Sequence, residues 1–295
     1  MMSDELGTQG HPLVSILTPS YNQAAWLGEN LRSVACQTYP RIEHVVMDGG
    51  STDGSVALLE EAGEPIVWRS EADEGQADAI NKAFAASSGE IIGWINSDDA
   101  YFDCRVIADV VACFEAQPDV DVLYGHCAQT TADGAIIQLL WAPPHRSELL
   151  RCADVISQPA TFIRRRALSD PMLDQSFHFT MDYELWLRLE AAGAGFARID
   201  RITAIDRHQP DRKSSNILDV HASDMARLAE RYETRFGPEF ESVRTSFYLR
   251  QRLWGALLVS RVRPPLAFEH PSDFKRGLLR RQLLTRRSRW PAQFR

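Results

Sequence analysis

The sequence lacks any apolar run near the roughly 20 residues that cross a lipid bilayer. The longest apolar stretches, such as Leu253–Val259, are far shorter than this. The first residues, MMSDELGTQGHP, contain neither the basic segment nor the apolar segment of a secretory signal peptide. These absences lead us to expect a cytoplasmic protein without a membrane span.

Cysteine is scarce and irregularly placed. The odd number and the absence of a C-x-x-C pair argue against a disulfide framework and against a zinc ribbon. The five cysteines are Cys36, Cys104, Cys113, Cys127 and Cys152. We expect each of them to be a small, buried apolar side chain.

Charge is unevenly distributed in an otherwise ordinary composition. Of the 295 residues, 44% are apolar and 24% are charged, as in soluble globular proteins. The net charge is −8, yet residues 261–295 contain ten Lys or Arg and only two acids. A basic segment of this kind is typical of contact with an acidic partner, although a solvated helix end is the alternative. We expect an anionic membrane surface, and no nucleic acid, as its partner.

Short apolar runs alternate with segments of helical periodicity over the first hundred residues. The predicted strands are Leu13–Leu17, Glu43–Met47, Ile66–Arg69 and Glu90–Ile95. The predicted helices are Trp26–Gln37, a helix that ends near Glu61, and Gln76–Ala86. This alternation predicts an α/β fold, with a mostly parallel, Rossmann-like sheet and helices on both faces.

The pattern changes after a predicted helix near 103–117, because two strands then follow without a long helix between them. This indicates a mixed sheet. From about residue 219 onward the sequence predicts only helices. The remaining predicted elements are strands Val120–Tyr124, Ile136–Trp141 and Phe196–Ile205, helix Met181–Ala192, and a mobile loop at 207–216.

Polar residues follow three of the predicted strands and should meet at one edge of the sheet, where open parallel sheets bind ligands. Of these, Asp98 and Asp99 point most clearly to chemistry, because adjacent carboxylates repel each other unless a cation or hydrogen-bond donors neutralise them. A helix N-cap is the alternative for this pair. The glycine-rich loop GGSTDG at 49–54 matches neither G-x-G-x-x-G nor the P-loop, which disfavours a dinucleotide or ATPase site.

Four motifs, taken together and in this order, resemble the nucleotide-sugar glycosyltransferases of family 2, which have the GT-A fold. They are TPSYN at 18–22, MDGGSTDGS at 47–55, DEGQADAINKAFAASSGEIIGWINSDD at 73–99 and MDYELWLRL at 181–189. The resemblance covers roughly residues 12–210, about two-thirds of the chain. Any one of these motifs would be weak evidence, whereas their common order is specific.

The resemblance implies roles for matching residues. The nucleotide-sugar would be bound by Pro19, Tyr21, Asn22, Asp48, Gly50, Asp53, Asp78, Asn81, Lys82 and Asp98. A divalent metal, Mn²⁺ or Mg²⁺, would be bound by Asp99, with His208 as a further ligand. Asn96 is a departure, because family members often carry Asp at this position.

The resemblance also implies that Asp182 is the catalytic base, which takes the proton of an acceptor hydroxyl as that hydroxyl attacks the donor sugar. Glu184 is the rival base, and a helix N-cap is the structural alternative for Asp182. Gln158 and Trp186 would contact the acceptor, although a core position is the default expectation for a tryptophan.

These inferences predict an inverting, metal-dependent glycosyltransferase that moves a sugar from a UDP-sugar to a glycan or polyprenyl-linked acceptor in cell-surface polysaccharide biosynthesis. It would act in the cytoplasm or on the cytosolic face of the inner membrane.

The predicted domains are a GT-A catalytic domain at 1–216, with nucleotide-sugar-binding (12–100) and acceptor-binding (101–216) halves, and a helical, basic extension at 217–295. The alternatives are a sugar-nucleotide nucleotidyltransferase and an inactive sugar-nucleotide-binding protein. The first of these usually carries a Gly- and Arg-rich loop where this chain has TPSYNQ.

Overall fold

The computed structural model describes residues 10–63, 65–209, 218–234 and 240–258. The strands are β1 (Val14–Ser20), β2 (Ile42–Asp48), β3 (Ile66–Ser70), β4 (Ile91–Trp94), β5 (Ala100–Tyr101), β6 (Val122–Thr131), β7 (Ile136–Leu140), β8 (Thr161–Arg164) and β9 (Phe196–His208). The helices are α1 (Ala24–Ala35), α2 (Ser55–Ala62), α3 (Gln76–Ala86), α4 (Val106–Ala116), α5 (Ser147–Cys152), α6 (Met181–Ala191), α7 (Leu218–Tyr232) and α8 (Glu241–Leu258).

One mixed sheet contains the described strands in the order β3-β2-β1-β4-β8-β6-β9-β5, with β7 paired to β6. The first four strands are parallel, as the alternating pattern predicts. Beyond them β8 runs antiparallel to both β4 and β6, and β9 is parallel to β6. The α/β fold with a mixed extension is therefore confirmed.

The central strand β1 is buried along its whole length and extends through Pro19, which the sequence pattern placed in a loop. Pairing of β1 with β4 ends at Leu17, so Pro19 has a neighbour only on the β2 side. Proline is tolerated in a strand where a ladder is incomplete, because it has no N–H to donate. The strand therefore carries the TPSYN motif directly to the edge of the sheet.

The two faces of the sheet bear separate apolar clusters, which confirms helices on both faces. On one face α3 and α6 pack on β1, β2 and β4, with Ile80 and Leu185 fully buried. On the other face α4 contributes the fully buried Val106 and Val110. Leu228 of α7 joins the first cluster, so this helix packs on the same core as α6.

Two of the cysteines form a disulfide, which corrects the expectation that every cysteine is a lone buried side chain. Cys36, at the end of α1, is bonded to Cys104, which precedes α4, and their Cα atoms are 5.2 Å apart. The two are 68 residues apart in the chain, and only the packing of α1 beside this loop brings them together. Cys127 and Cys152 are buried, as expected.

Within the described ranges, no helix is both long enough and apolar enough to cross a bilayer.

Several predicted features lie partly or wholly outside the described residues. Residues 207 and 208 of the predicted loop belong to β9, whereas 210–217 lie outside the description. The basic segment 261–295 also lies outside it.

Candidate functional site

The carboxyl ends of the first three strands form one edge, as expected for a parallel sheet. Ser20 of β1 lies opposite Asp48 of β2, and Asp48 lies opposite Ser70 of β3. The loops that follow these strands therefore emerge side by side. This register brings the TPSYN and GGSTDG segments together.

Asp48 is buried and shapes the glycine-rich loop. One of its carboxylate oxygens accepts the backbone N–H groups of Gly50 at 3.1 Å and Ser51 at 2.8 Å, and also the Ser70 hydroxyl at 2.7 Å. The Ser51 hydroxyl donates to the other oxygen at 2.5 Å. Gly50 has a φ of +82°, a conformation that side chains disfavour. The predicted Asp48 and Gly50 thus belong to one tightly bonded turn.

Asn22 and Asp53 join this turn to the start of α1. The Asn22 side-chain oxygen accepts the Thr52 N–H at 2.9 Å, and Asp53 accepts the Ala24 N–H at 2.8 Å. Asp53 also accepts the Ser55 N–H at 3.0 Å, although Gly54 is the N-cap of α2. Burial opposes a low pKa for Asp53, but the hydrogen bonds from Ser55 and Ala24 outweigh it and lower the pKa.

Tyr21 presents its ring at the same edge and is 61% exposed, which suits stacking on a flat ligand. Pro19, two residues earlier, is buried inside β1. A Cβ atom at Gly49 would approach a carboxylate oxygen of Asp73 to 2.7 Å and the Tyr21 ring to 3.2 Å. The absence of a side chain at Gly49 therefore leaves room for the Asp73 carboxylate and the Tyr21 ring beside this loop, and Asp73 is a candidate site residue that the sequence analysis did not single out.

The Asp98–Asp99 pair follows β4, and its two carboxylates have different surroundings. Asp99 is only 4% exposed, and one of its oxygens accepts the Arg207 backbone N–H at 3.0 Å. Asp98 is partly exposed and accepts a longer hydrogen bond, 3.3 Å, from the Gln209 side chain. The Arg207 guanidinium also donates to the Asp98 carbonyl at 3.0 Å, so the end of β9 holds this loop in place.

Asn96, the departure from the family pattern, is the centre of a side-chain network. Its oxygen accepts hydrogen bonds from Gln76 at 2.7 Å and from the Trp94 indole at 3.0 Å. Its amide donates to Gln158 at 3.0 Å and, more weakly, to Asp99 at 3.4 Å. An aspartate could not donate these last two bonds. The network links Gln158, predicted on the acceptor side, to the aspartate pair.

His208 lies at the end of β9, between the two residues that contact the aspartate pair. Its side chain is 44% exposed, and its Nε2 is 3.8 Å from an oxygen of Asp206. Within the described ranges no three His, Cys, Asp or Glu side chains come close enough to form a metal cage. A Mg²⁺ or Mn²⁺ ion often binds through one or two carboxylates with water and substrate phosphates as its other ligands, and the pair fits that pattern.

On α3, Asp78 and Lys82 form an ion pair of 3.0 Å, and Gln175 donates to Asp78 at 3.1 Å. Burial opposes a low pKa for Asp78, but the hydrogen bond from Lys82 contributes to lowering it.

Asn81 corrects the prediction of a donor contact. It is buried and pairs with both backbone groups of Leu173, at 2.9 and 2.8 Å. Its amide is therefore a structural bridge between α3 and a distant loop.

Asp182 lies in the first turn of α6, where it is partly exposed and accepts the Tyr183 N–H at 2.9 Å. Thr180, rather than Asp182, is the N-cap of the helix. The rival base Glu184 is fully buried, with Arg188 at 3.2 Å and the Tyr232 hydroxyl at 2.5 Å. Of these two carboxylates, Asp182 is the one open to solvent.

Trp186 corrects the second prediction about the acceptor pocket. It is 1% exposed and lies in the main apolar cluster, so its ring has no open face for a sugar. The cause is the burial of α6, whose helical pattern is apolar nearly all round. Gln158, by contrast, lies in the side-chain network beside the aspartate pair.

Asp154 is an unpredicted carboxylate beside Asp182. Its side chain is exposed on one side and surrounded by protein groups on the other, and it accepts the Ile156 N–H. Loss of hydration, and then the negative charge of Asp182, hold the pKa of Asp154 well above its usual range. Two carboxylates that interact in this way lose their protons in steps that belong to the pair.

This pair leads to a prediction about pH dependence. The charge of Asp182 contributes to the raised pKa of Asp154, so Asp154 is still protonated and uncharged when Asp182 ionises. The Asp154→Asn variant keeps a neutral side chain there, so the acidic limb of the kcat–pH profile should stay in place if Asp182 is the base. Steady-state rates between about pH 4.5 and 8 test this expectation. An acidic limb that moves to lower pH in Asp154→Asn would show that Asp154 is already charged when Asp182 ionises.

Comparison with known protein families identifies the family of this chain. The sequence model of glycosyl transferase family 2 matches residues 15–181, more than half of the chain. The chain therefore belongs to this family, as its motifs indicate. The match includes the aspartate pair and ends one residue before Asp182.

Each individual relative matches only part of this chain, and this chain matches only part of each relative. An uncharacterized glycosyltransferase of Mycobacterium tuberculosis is 38% identical over 117 residues, which span 39% of this chain and 44% of that protein. The O-antigen biosynthesis protein RfbC of Myxococcus xanthus is 30% identical over 195 residues, 64% of this chain and 15% of that protein. The chain thus matches less than half the length of these relatives.

Solved glycosyltransferases share the fold. S. aureus TarS 1–349 in complex with UDP-GlcNAc has a TM-score of 0.58 at 18% identity, over 74% of this chain and 66% of TarS. The mannosyltransferase PcManGT of Pyrobaculum calidifontis, in complex with GDP-Man and Mn²⁺, has a TM-score of 0.59 at 19% identity, over 85% of this chain and 75% of PcManGT. The expected GT-A fold is therefore confirmed.

Sequence reasoning missed several residues of the site. Gln76 lies within the DEGQADAIN motif, so the motif itself could have indicated it as a site residue. Arg207 and Gln209 were part of a predicted loop, and their contacts with the aspartate pair arise because β9 continues to His208. Local periodicity gives no signal for such contacts.

Proposed function

We propose that this protein is an inverting glycosyltransferase that transfers a sugar from a UDP-sugar to a hydroxyl group of a glycan or polyprenyl-linked acceptor. The observation that carries the proposal is the side-chain network that joins the aspartate pair, through Asn96, to Gln158. It connects the loop expected to face the donor diphosphate with the segment expected to face the acceptor. Family membership favours this activity over the nucleotidyltransferase alternative.

On the donor side, Tyr21 offers an exposed ring for the nucleobase, and the turn organised by Asp48 forms the floor beside it. Asp48 therefore acts by shaping the loop. Asp78 lies in the first turn of α3 and Lys82 one turn later, and the partly exposed Lys82, which pairs with Asp78, is proposed to contact a donor phosphate. A uracil base is the proposed occupant, whereas the related structures named above hold a UDP-sugar in one case and GDP-Man in the other.

Within the aspartate pair, Asp98 is the proposed main ligand of the divalent ion, because its carboxylate is the more exposed. Asp99, which the resemblance assigns to the metal, holds the Arg207 backbone and so supports the loop. His208 remains a proposed further ligand. When bound, Mn²⁺ or Mg²⁺ supplies positive charge to the departing diphosphate.

On the acceptor side, Asp182 is the proposed base. An acceptor hydroxyl attacks the anomeric carbon from the face opposite the leaving UDP, so that one displacement inverts the configuration. Asp182 takes the proton of that hydroxyl as the new bond forms. Gln158 remains a proposed acceptor contact, and its amide donates to the Trp94 carbonyl at 2.5 Å, which fixes its orientation.

The test of the proposal is transfer itself. Purified protein is incubated with UDP-sugars and GDP-sugars, with Mn²⁺, Mg²⁺ or EDTA, and nucleoside diphosphate release is measured. Cation-dependent release of UDP from one donor, increased by a saccharide acceptor, is the expected result. NMR of the product gives the anomeric configuration. Absence of release with every donor, despite donor binding, would favour the inactive binding protein instead.

The basic segment is proposed to bring the enzyme to an anionic membrane, and this predicts salt-sensitive binding. Each basic residue near such a surface contributes about 1 kcal/mol. A full-length variant in which Lys275, Arg276, Arg280 and Arg281 are glutamines should therefore co-sediment much less with anionic liposomes at low salt. Neutral liposomes are the control. Equal sedimentation of both proteins, or none of either, would contradict the proposal.

A further inference from the structure

A buried carboxylate of α7 holds the backbone that leads into Asp182. Asp224 is 2% exposed, and one of its oxygens accepts the N–H groups of three consecutive residues. The distances are 3.1 Å from His178, 2.8 Å from Phe179 and 3.2 Å from Thr180. Helix α6 begins at the next residue.

This arrangement fixes the chain just before α6, where a local side-chain cap is missing. Thr180 is the N-cap of α6, but its side chain makes no capping hydrogen bond, and its hydroxyl has no partner among the described residues. The first N–H groups of a helix usually need an acceptor, and negative charge is favoured at this end. Asp224, on a different helix, supplies a negative charge at this end and an acceptor for the Thr180 N–H, and it also binds the two N–H groups that precede the helix.

Other residues of α7 contact the same segment. Arg227 donates to the Ser176 carbonyl at 2.6 Å, and Arg231 pairs with Asp174 at 2.9 Å. Farther along α6, the Tyr232 hydroxyl reaches Glu184. Helix α7 therefore lies against the whole turn before α6, and Asp224 contacts the part nearest to Asp182.

We propose that Asp224 is a positioning residue, which holds the amides of 178–180 and thereby sets the direction of the Asp182 carboxylate. The inference rests on the proposed function, in which Asp182 is the base. A small displacement of a reacting group lowers turnover strongly without a matching loss of substrate binding. The inference gives α7 a role in the reaction, although this helix lies outside residues 15–181, the part of the chain that the family model matches.

The kinetic test compares three variants. Asp224→Ala should lower kcat by about 10- to 100-fold and change the donor KM by less than about threefold. Asp224→Asn keeps one oxygen for the three amides and should recover most of the kcat. Tyr232→Phe is the matched control, because it removes another α7–α6 hydrogen bond and should leave kcat within about twofold. Equal kcat losses in all three variants, or none in Asp224→Ala, would overturn the inference.

Amide hydrogen exchange of the peptide over 176–184 gives an independent reading. Exchange at 178–180 should be faster in Asp224→Ala than in the wild type, and unchanged in Tyr232→Phe. If the wild type transfers no sugar, the proposed function fails, but exchange still decides whether Asp224 holds the turn. If Asp224→Ala does not fold, Asp224→Ser, whose hydroxyl is too short to reach the three amides, replaces it in both measurements, with the same expected loss of kcat and the same faster exchange. Unchanged exchange in a folded Asp224→Ala overturns it.

Discussion

The Asp182→Asn variant is expected to lose at least about 10²-fold in kcat, which is the usual scale for removal of a general base. Asparagine has nearly the same shape and can still accept the Tyr183 N–H, so the first turn of α6 should keep its structure. Its amide cannot take the proton of the acceptor hydroxyl. UDP affinity, measured by calorimetry, should stay within about twofold because the donor does not depend on this proton transfer.

Glu184→Gln is the control for that experiment. Glu184 is fully buried between Arg188 and Tyr232, so its loss of charge should lower thermal stability while leaving the chemistry in place. Rates normalised to folded protein separate the two effects. An active Asp182→Asn together with a folded but inactive Glu184→Gln would show that the other carboxylate is the base.

Asp98→Ala is expected to lower kcat by about 10² to 10³-fold and to weaken donor binding, because the proposed cation loses its main protein ligand. Titration of activity with Mn²⁺ should shift to higher concentration or disappear. Asp98 is partly exposed and lies after β4, so the variant should fold normally. Circular dichroism and the melting temperature check the fold.

Asp99→Asn is the matched variant for Asp98→Ala. It keeps an oxygen for the Arg207 N–H, and it is expected to retain far more activity than Asp98→Ala. A cation titration that shifts in Asp99→Asn and not in Asp98→Ala would restore the assignment of Asp99 as the metal ligand. Retention of full, EDTA-sensitive activity by both variants would move the cation to another site.

The parts of the fold that follow from local pattern were predictable. The predicted helix Gln76–Ala86 coincides with α3, and the apolar runs before Asp48 and Asp98 correspond to β2 and β4. Parallel strands place their carboxyl ends on one edge, so the convergence of the motifs could also be anticipated. The short β8 and β5 were missed, because four and two residues are too few to show a period.

Side-chain roles within the motifs were less predictable than their positions. Asn81 lies in a motif that matches the family, yet its amide bridges to Leu173, 92 residues farther along the chain. Trp186 lies in another matching motif and is a core residue. In both cases the residue type is compatible with binding and with packing, and only its burial distinguishes the two.

What the sequence by itself determined is the family, the order of the α/β elements and the group of carboxylates at the sheet edge. These depend on residue type and spacing within single segments. The tertiary structure alone decided the Cys36–Cys104 disulfide, the bond from the Arg207 N–H to Asp99 across 108 residues, and the Asp224 contact before α6. Such contacts depend on how helices and strands pack against each other, and packing joins positions whose separation in the chain leaves no periodic signal.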